Sequence, residues 1–346
     1  MPELTIVADD LTGALDTAAP FAMRGIRTVV ALNPEALPEA IASGARIVSV
    51  STDSRELSPA GASSTVERAI AALPAGTRLF KKIDSRLKGN IEAELDPLPH
   101  TRSLVIPAIP AFGRLVQGGS LHGAGVSEPI GIAARLGRHA GAATIPDIRT
   151  QADIEAALAG DFDLLVGARG LAEAMAVAMA PEPRVPGIEL PSGPAYCVIG
   201  STDPITVEQL RRLRRRLPEL ACIAAPNGEA PIGLAAAGPL TIIEATQGTA
   251  PADARTVAAA LARSLVRLSP PPGALLVLSG GATAQAILEQ MHVHILDLVG
   301  EALPGLPLAT AGDLTVVTKS GGFGDENTLL RLLAGFLEPR ERVALS

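Results

Sequence analysis

The feature that most constrains the fold of this chain is a repeated unit: a short apolar run, a polar turn and then a helical pattern. Segments that we interpret as strands occur at 4–8, 26–32, 47–50 and 78–83. Most of these segments are followed by a short stretch of polar residues, and then by apolar residues at helical spacing. Strands that alternate with crossover helices are typical of α/β proteins, so the sequence predicts mostly parallel sheets flanked by helices.

The first of these turns carries two adjacent carboxylates, Asp9 and Asp10. Thr12 and Gly13 open the helical pattern that follows, and Gly25 closes it. Helix capping accounts for one Asp at such a position but not for a second one beside it. Open α/β folds bind their ligands at the carboxyl ends of their strands. We therefore interpret this turn as part of a ligand site.

Charged or hydroxyl residues also follow the later strands of the first half. Because the carboxyl ends of parallel strands share one edge of a sheet, these side chains are expected to face one pocket. A carboxylate there can accept a proton from a hydroxyl group, and the cations can hold a carboxylate. The expected pocket residues are Asp9, Asp10, Arg55, Lys82, Asp84 and Ser85.

The length of the chain, 346 residues, predicts two domains, because single cores rarely grow beyond about 250–300 residues. Prolines at 181, 183, 186, 191 and 194 break the helical pattern near the middle of the chain. We place an N-terminal domain at 1–185, a Pro/Gly-rich linker at 186–194 and a C-terminal domain at 195–346.

The second half has three junctions at which a strand meets a glycine turn and a helix: Gly200-Ser201, 279–283 and 318–324. Backbone amides of such turns, together with a helix N-terminus, bind anions. Lys319 can neutralise a phosphate. A single glycine turn is weak evidence, but three in one domain favour a nucleotide. None of them matches the phosphate loop or the full dinucleotide fingerprint.

Composition narrows the classes of partner. The net charge is -7 and aromatic residues make up 2% of the chain, which argues against a nucleic-acid partner. The arginine-rich segment 211–216 can bind phosphate or RNA, but its spacing favours a solvated helix face. No apolar run reaches the roughly 18 residues of a membrane span, and the N-terminus lacks a signal-peptide pattern. We expect a cytoplasmic protein with no membrane partner; monomer or homodimer stays open.

Three further features are interpreted as structural or left unassigned. The glycine-rich segment 117–125 predicts a loop without strand or helix, of a length that is often functional. Cys197 and Cys222 lie in apolar surroundings without metal-ligand spacing, and the pair His292 and His294 lacks a third ligand nearby. The sequence therefore assigns no metal ligand.

The motifs together resemble the four-carbon acid sugar kinases, a family that includes D-threonate, D-erythronate and 3-oxo-tetronate kinases. The resemblance extends over nearly the whole chain. Its marks are Ala8-Asp9-Asp10-Leu11-Thr12-Gly13-Ala14 with Asp16, Lys81-Lys82-Ile83-Asp84-Ser85, Pro107-Ala108-Ile109-Pro110-Ala111-Phe112-Gly113-Arg114, Gly200-Ser201 with Thr206 and Gln209, Ser279-Gly280-Gly281, Pro304-Gly305 and Thr318-Lys319-Ser320-Gly321-Gly322-Phe323-Gly324.

The resemblance implies a kinase that phosphorylates a hydroxyl of a small sugar acid, such as a tetronate or 3-oxo-tetronate. Its N-terminal domain would bind the sugar acid and its C-terminal domain ATP with Mg²⁺, with the active site in the interdomain cleft. The implied substrate contacts are Asp9, Arg55, Lys82, Asp84 and Ser85. The ATP contacts that it implies are Ser201, Ser279, Gly280, Gly281, Ala282 and Gly322. We expect Lys319 and Gly321 to lie beside the phosphates as well. Either Asp9 or Asp84 can be the catalytic base.

The chain departs from the family pattern at three motifs. Gly281-Ala282-Thr283 stands where Gly-Gly-Glu-Thr is usual, so a carboxylate near the nucleotide is missing. Ser201-Thr202-Asp203-Pro204 replaces Ser-Cys/Asn-Ser-Pro, and Ser85-Arg86-Leu87-Lys88-Gly89-Asn90 replaces Ser-Thr-Leu-Arg-Gly-Asn. The chain is also shorter than typical members between Gln209 and Ser279.

Two other functions compete with a kinase. A non-catalytic sensor of sugar acid or nucleotide would keep the fold without the missing glutamate, and would bind ligand without forming ADP. A metal-dependent lyase or phosphatase built on Asp9 and Asp10 would bind a divalent metal without nucleotide. This last hypothesis gives the glycine turns of the second half no purpose.

Overall fold

The protein forms two compact units. A computed structural model describes residues 1–182, 190–218, 220, 222–233 and 238–336. Unit 1 contains residues 1–182 together with His294–Gly300, and unit 2 contains the other described residues. Within these ranges, no helix is both long enough and apolar enough to cross a bilayer.

Strands and helices alternate along most of the described chain, as the repeated pattern predicts. The strands are β1 Leu4–Ala8, β2 Thr28–Ala31, β3 Ile47–Ser51, β4 Leu79–Lys82, β5 Ser103–Ile106, β6 Arg114–Gln117, β7 Ser120–Gly123, β8 Ile130–Gly131, β9 Ala143–Thr144, β10 Leu164–Gly167, β11 Ala195–Ile199, β12 Cys222–Pro226, β13 Leu240–Thr246, β14 Leu275–Ser279, β15 Ile295–Leu303, β16 Leu306–Ala311 and β17 Leu314–Lys319. The α-helices are α1 Leu11–Ala22, α2 Leu37–Ala42, α3 Pro59–Ala71, α4 Ile91–Leu95, α5 Ile132–Leu136, α6 Gln151–Ala157, α7 Arg169–Met179, α8 Pro204–Arg216, α9 Ala254–Arg267, α10 Gly281–Gln290 and α11 Thr328–Leu333. Short 3₁₀ turns occur at Pro34–Ala36, Pro110–Phe112, Gly137–Ala142 and Ala334–Phe336.

Unit 1 is built on a mostly parallel sheet with the strand order β2-β3-β1-β4-β10-β5-β9. The chain runs from β1 to β2 and β3 on one side and then returns to β4 on the other, so the winding reverses beside β1. Such a reversal opens a crevice at the carboxyl ends of the strands. All residues of α1, which packs on this sheet, are buried, and Ser49 Oγ donates to Ala14 O at 3.0 Å.

The boundary between the units differs from the predicted division into 1–185 and 195–346. His294–Gly300 belongs to unit 1, because the first residues of β15 pair antiparallel with β2. The predicted linker at 186–194 falls partly on residues 183–189, which lie outside the described residues.

The segment 117–125, predicted to be a loop, instead contains most of a β-hairpin, so this prediction was wrong. β6 and β7 pair antiparallel and are joined by Gly118 and Gly119, whose φ values are 56° and 69°. Two consecutive left-handed residues suit the tight turn that matches strand twist. Val116 lies opposite Leu121, and both are fully buried. The hairpin thus packs one apolar face inward.

Unit 2 repeats the winding of unit 1. Its strand order is β12-β13-β11-β14-β17-β16, and all neighbours are parallel except β16 and β17. The chain again fills one side of its first strand before crossing to the other. The register places Ile199, Ser279 and Lys319 in one row, so the turns that follow β11, β14 and β17 start at the same edge.

The arginine-rich segment of α8 lies on the surface of unit 2 and is ion-paired. Arg211 and Arg212 both pair with Glu208, and Arg214 pairs with Glu244. These arginines are about half exposed, which fits the predicted solvated face.

Candidate active site

The turns after β1, β3 and β4 meet at the crevice of unit 1. Asp9 follows β1, Arg55 follows β3 and Asp84 follows β4. The amides of Ser54 and Arg55 donate to the carbonyl of Asp9 at 3.0 and 3.3 Å, which joins the first two turns. The structure therefore brings together side chains that are 29 to 75 positions apart in the sequence.

The guanidinium of Arg55 binds two carboxylates. Its Nε donates to Asp9 Oδ2 at 2.7 Å and its Nη2 to Asp9 Oδ1 at 3.0 Å. Its Nη1 and Nη2 also donate to Asp10 Oδ2 and Oδ1 at 3.0 and 2.9 Å. A third carboxylate, Asp84, lies 3.7 Å from Nη2. Bidentate pairs of this kind are strong and directional, so Arg55 is committed to organising the aspartates.

Burial and charge act in opposite directions on this cluster. Burial raises the pKa of Asp9, but the positive charges of Arg55 and Lys82 and the Arg55 hydrogen bonds outweigh it, so the pKa lies below its ordinary value. Burial lowers the pKa of Arg55, but Asp10 and Asp9 raise it above its ordinary value. Both groups are therefore ionised at neutral pH.

Asp10 has two roles at once. Its Oδ1 accepts from the amide of Gly13 at 2.9 Å and caps α1, while both of its oxygens accept from Arg55. A Cβ on Gly13 would lie 2.4 Å from Asp10 Oδ1 and 3.0 Å from Lys82 Nζ. The ammonium of Lys82 thus lies beside α1, where it also donates to Ile83 O at 2.7 Å.

A buried ion pair supports the turn that carries Arg55. Lys81 Nζ lies 2.8 Å from Glu94 Oε2, and the two side chains are 0% and 1% exposed. Ser54 Oγ donates to Glu94 Oε1, and the hydroxyls of Ser54 and Thr52 are 2.7 Å apart. Asn90 Nδ2 donates to the carbonyls of the same turn. This network fixes the backbone from which Arg55 projects.

Asp84 and Ser85 lie on the more open side of the cluster. Asp84 Oδ1 accepts from the amides of Arg86 at 2.9 Å and Lys88 at 3.3 Å. Ser85 Oγ accepts from Arg114 Nη1 at 2.7 Å. The side chain of Asp84 is 14% exposed, compared with 2% for Asp9, so Asp84 is the carboxylate that a ligand reaches more easily.

The glycine turns of unit 2 form a second cluster. The amide of Gly280 donates to Lys319 O at 2.9 Å, and that of Gly200 donates to Ser279 O at 3.1 Å. A Cβ on Gly321 would lie 2.3 Å from Ser201 Oγ. The three turns predicted to bind nucleotide are therefore in direct contact, and a side chain at 321 would not fit.

Lys319 is fully buried, and its ammonium holds the last of these turns. Nζ donates to Thr206 Oγ1 at 2.8 Å, to Gly321 O at 3.0 Å and to Ser320 O at 3.2 Å. Thr206 Oγ1 in turn donates to Gly321 O at 2.8 Å. Burial lowers the pKa of Lys319 to about 8, against the opposing effect of Asp203. Its predicted role as a phosphate neighbour stays a prediction; its observed contacts are structural.

The residues of this second cluster fit a nucleotide phosphate. The hydroxyl of Ser279 is buried and has no hydrogen-bond partner among the described residues. A Cβ on Gly280 would lie 3.7 Å from Ser201 Cβ and one on Gly322 would lie 3.3 Å from Asp203 Oδ2, and Ala282 is exposed in the first turn of α10. Within the described ranges, no group of three or more His, Cys, Asp or Glu residues is arranged to hold a metal ion.

Sequence reasoning missed three contributors to these clusters. Glu94 lies inside a helical pattern, and nothing local distinguishes it from a solvated Glu. Arg114 was part of a recognised motif, but its contact with Ser85 crosses 29 positions. Arg169 pairs with Asp16 at 3.0 Å, and only its burial, 8% exposed, marks it as unusual. Long-range pairing of this kind leaves no local pattern.

Family models match both halves of the chain. One described as a sugar-binding N-terminal domain matches residues 4–131, and one described as a nucleotide-binding C-terminal domain matches residues 220–329. The first range contains the whole Asp9–Arg55–Asp84 cluster. The second contains Ser279, Gly280 and the Lys319 turn.

Relatives of known name resemble the chain along its full length. A D-threonate kinase of Bordetella bronchiseptica is 30% identical, with 98% of this chain and 98% of that protein covered. A 3-oxo-tetronate kinase of Methylobacterium radiotolerans is 28% identical, covering 95% of this chain and 98% of that protein. A solved structure from Salmonella typhimurium LT2 shares the fold, with a TM-score of 0.73 and 19% identity over 96% of this chain and 99% of that one. The chain belongs to the four-carbon acid sugar kinase family.

Proposed function

We propose that the protein is a kinase that transfers the γ-phosphoryl group of ATP to a hydroxyl of a four-carbon sugar acid. The observation that carries this proposal is the carboxylate cluster at the winding reversal of unit 1, within the range that the sugar-binding model matches. The named relatives act on D-threonate and 3-oxo-tetronate, which makes tetronates and their oxo forms the first acceptors to test.

Asp84 is our candidate for the catalytic base. Both oxygens of Asp9 accept hydrogen bonds from Arg55, and the pKa of Asp9 is held below its ordinary value. Such a carboxylate is a weak proton acceptor. Asp84 is more exposed, and its nearest cation is 3.7 Å away. We therefore assign to Asp84 the proton of the attacking hydroxyl and to Asp9 a positioning role with Arg55.

The second cluster would hold the nucleotide. Backbone amides at Gly281 and Gly322 and the hydroxyls of Ser201 and Ser279 can donate hydrogen bonds to the phosphate oxygens, as glycine turns at helix N-termini do in other proteins. Mg²⁺ would neutralise the phosphates during transfer. Magnesium in such sites is held by one or two carboxylates and the phosphates themselves, and Asp203, beside Gly322, is the carboxylate within this cluster.

A coupled ADP-release assay with Mg·ATP tests this function. The acceptors are D-threonate, D-erythronate, their 2-oxo and 3-oxo forms and five-carbon acids. The proposal predicts ADP release on at least one four-carbon acid, with an equal amount of phosphorylated acid formed. ADP release that is independent of every acid would point to a hydrolase instead and refute the proposal.

A sensor without catalysis is the second candidate, favoured by Ala282. This residue is exposed in the first turn of α10, at the position where the family pattern that the sequence resembles implies a glutamate. A sensor would show a rise in melting temperature with sugar acid or ATP but no ADP release. The same protein sample, tested by thermal shift and by the coupled assay, separates the two functions.

A further inference from the structure

The two cations first expected to bind the sugar-acid carboxylate already have partners. Arg55 donates four hydrogen bonds to Asp9 and Asp10, and Asp84 lies within ion-pair distance of it. Lys82 Nζ donates to Ile83 O and lies beside Asp10, and at 4% exposure Lys82 is more deeply buried than Arg114. Three carboxylates thus face two cations, and the local charge is negative. An incoming carboxylate would be repelled from this group.

Arg114 lies next to this cluster and has no acidic partner. It begins β6, and its side chain is held by two neutral acceptors: Nε donates to Ala124 O at 2.9 Å and Nη1 to Ser85 Oγ at 2.7 Å. Among the described residues, no carboxylate lies within 4.0 Å of its guanidinium. Burial lowers the pKa of Arg114 and the charge of Arg86 lowers it further, whereas the more distant charges of Asp84 and Asp16 oppose this shift without cancelling it. A half-buried cation with no carboxylate at ion-pair distance gains from an anion that joins it.

Arg86 extends the positive charge into an open cleft of unit 1. A Cβ on Gly125 would lie 3.6 Å from Arg114 Nη2 and 3.7 Å from Arg86 Cδ, so the two arginines flank the same glycine. The cleft, about 670 Å³ in volume, is lined by Arg86, Lys88 and Arg135 against one carboxylate, Glu128. Within the described part of the chain none of these three cations forms an ion pair.

We propose that Arg114 and Arg86 bind the carboxylate of the sugar acid, whereas Arg55 serves to position Asp9. The inference rests on the proposed function and assigns the acid-binding end of that site. The geometry connects the two ends of the substrate: Arg114 donates to Ser85, and the amide of Arg86 donates to Asp84. A carboxylate on the arginines therefore places the adjoining hydroxyl-bearing carbons near Asp84.

The test compares an acid with its uncharged amide. For the best tetronate found in the coupled assay, kcat/KM is measured for the acid and for the corresponding tetronamide. Removing a hydrogen bond to a charged group costs about tenfold to a hundredfold in affinity. We expect Arg114→Met and Arg86→Met each to lower the acid-to-amide ratio by about that factor. A merely structural loss would reduce both substrates equally and leave the ratio unchanged.

Arg27→Met is the matched control, because it removes the same charge from an exposed arginine outside the site. Arg27 immediately precedes β2, so it lies at the amino-terminal end of a strand, whereas the site lies at the carboxyl ends. Its ratio should equal that of the wild type. Arg114→Lys keeps the charge and should recover part of the ratio. Circular dichroism melts report whether each variant folds. If Arg114→Met does not fold, Arg86→Met still tests the inference, because the side chain of Arg86 donates no hydrogen bond to the hairpin.

Two failures are distinguishable. A wild type that turns over a tetronate, with ratios unchanged in both arginine variants, would overturn this inference alone. A ratio lost only in Arg135→Met would overturn it as well, by placing the carboxylate at the far wall of the cleft. A wild type that neither phosphorylates nor binds, by calorimetry, any acid tested would overturn the proposed function and this inference with it.

Discussion

Arg55 Nε lies 2.7 Å from Asp9 Oδ2, and Arg55 Nη2 lies 3.0 Å from Asp9 Oδ1. This pair joins the turn after β3 to the turn after β1, and it converts a cluster of acidic residues into an ordered arrangement. Asp9 is 2% exposed and Arg55 is 22% exposed in their side chains. The pair is thus shielded from solvent, so its loss should lower the free energy of unfolding substantially.

Arg55→Met should destabilise unit 1 by about 3 kcal/mol, because Asp9 and Asp10 would remain largely buried without a cation. Urea unfolding measures the free energy of unfolding. Arg46→Met is the control, since Arg46 pairs with Glu3 while both are about half exposed, and such pairs contribute less than about 1 kcal/mol. Equal losses in the two variants would contradict the importance assigned to the Arg55–Asp9 pair.

The buried pair of Lys81 and Glu94 makes a different prediction. Lys81→Met leaves Glu94 buried and unpaired, and we expect a loss of about 3–5 kcal/mol in unfolding free energy. The double variant Lys81→Met/Glu94→Leu removes both charges and should recover most of that loss. A double-mutant cycle by denaturant unfolding measures the coupling. Additive losses would show that the two charges do not depend on each other.

Lys319 predicts a pH dependence with a definite sign. Burial lowers the pKa of Lys319 from 10.5 to about 8 in the folded protein, so between these values the unfolded chain binds more protons. Stability then rises with pH across that window, by up to roughly 3 kcal/mol for this group. The unfolding free energy of wild type minus that of Lys319→Met should therefore increase from about pH 8 to about pH 10. A constant or falling difference would refute the assigned shift.

Gly321→Ala tests the nucleotide cluster. The added Cβ would lie 2.3 Å from Ser201 Oγ, so the turn must move, and we expect the KM for ATP to rise by about tenfold. The KM for the sugar acid should change little. Gly141→Ala is the control, because nothing lies within 4 Å of its Cβ position. An unchanged KM for ATP in Gly321→Ala would separate this turn from the nucleotide.

The sequence was sufficient to predict the parallel sheets and the residues at their edge, because strand, turn and helix signals are local. Asp9 and Arg55 were expected near one another for that reason. Their direct bond was not expected, since pattern reasoning orders strands without setting side-chain directions. The same limit applies to Lys319, which was expected to face phosphate but turns into the protein to hold its own turn.

Two features of the fold were beyond local reasoning for different physical reasons. The Gly118-Gly119 turn is a strong hairpin signal, but the flanking strands are only four residues long and lack a clear alternation. The pairing of β15 with β2 joins residues more than 260 positions apart, and a domain boundary drawn from composition assumes one crossing of the chain. Arg114 was visible in a motif, yet only the three-dimensional arrangement of the described residues shows that no carboxylate lies within 4.0 Å of its guanidinium.

The coupled ADP-release assay on wild type and Asp84→Asn, with Mg·ATP and the tetronates, measures whether Asp84 acts as the base in phosphoryl transfer. We expect turnover by the wild type and a loss in kcat of about 10²–10⁴-fold in Asp84→Asn, with an unchanged melting temperature. Asp161→Asn, whose carboxylate is 87% exposed, should behave as the wild type. Full turnover by Asp84→Asn, or a wild type that releases no ADP with any of these acids, would contradict the account.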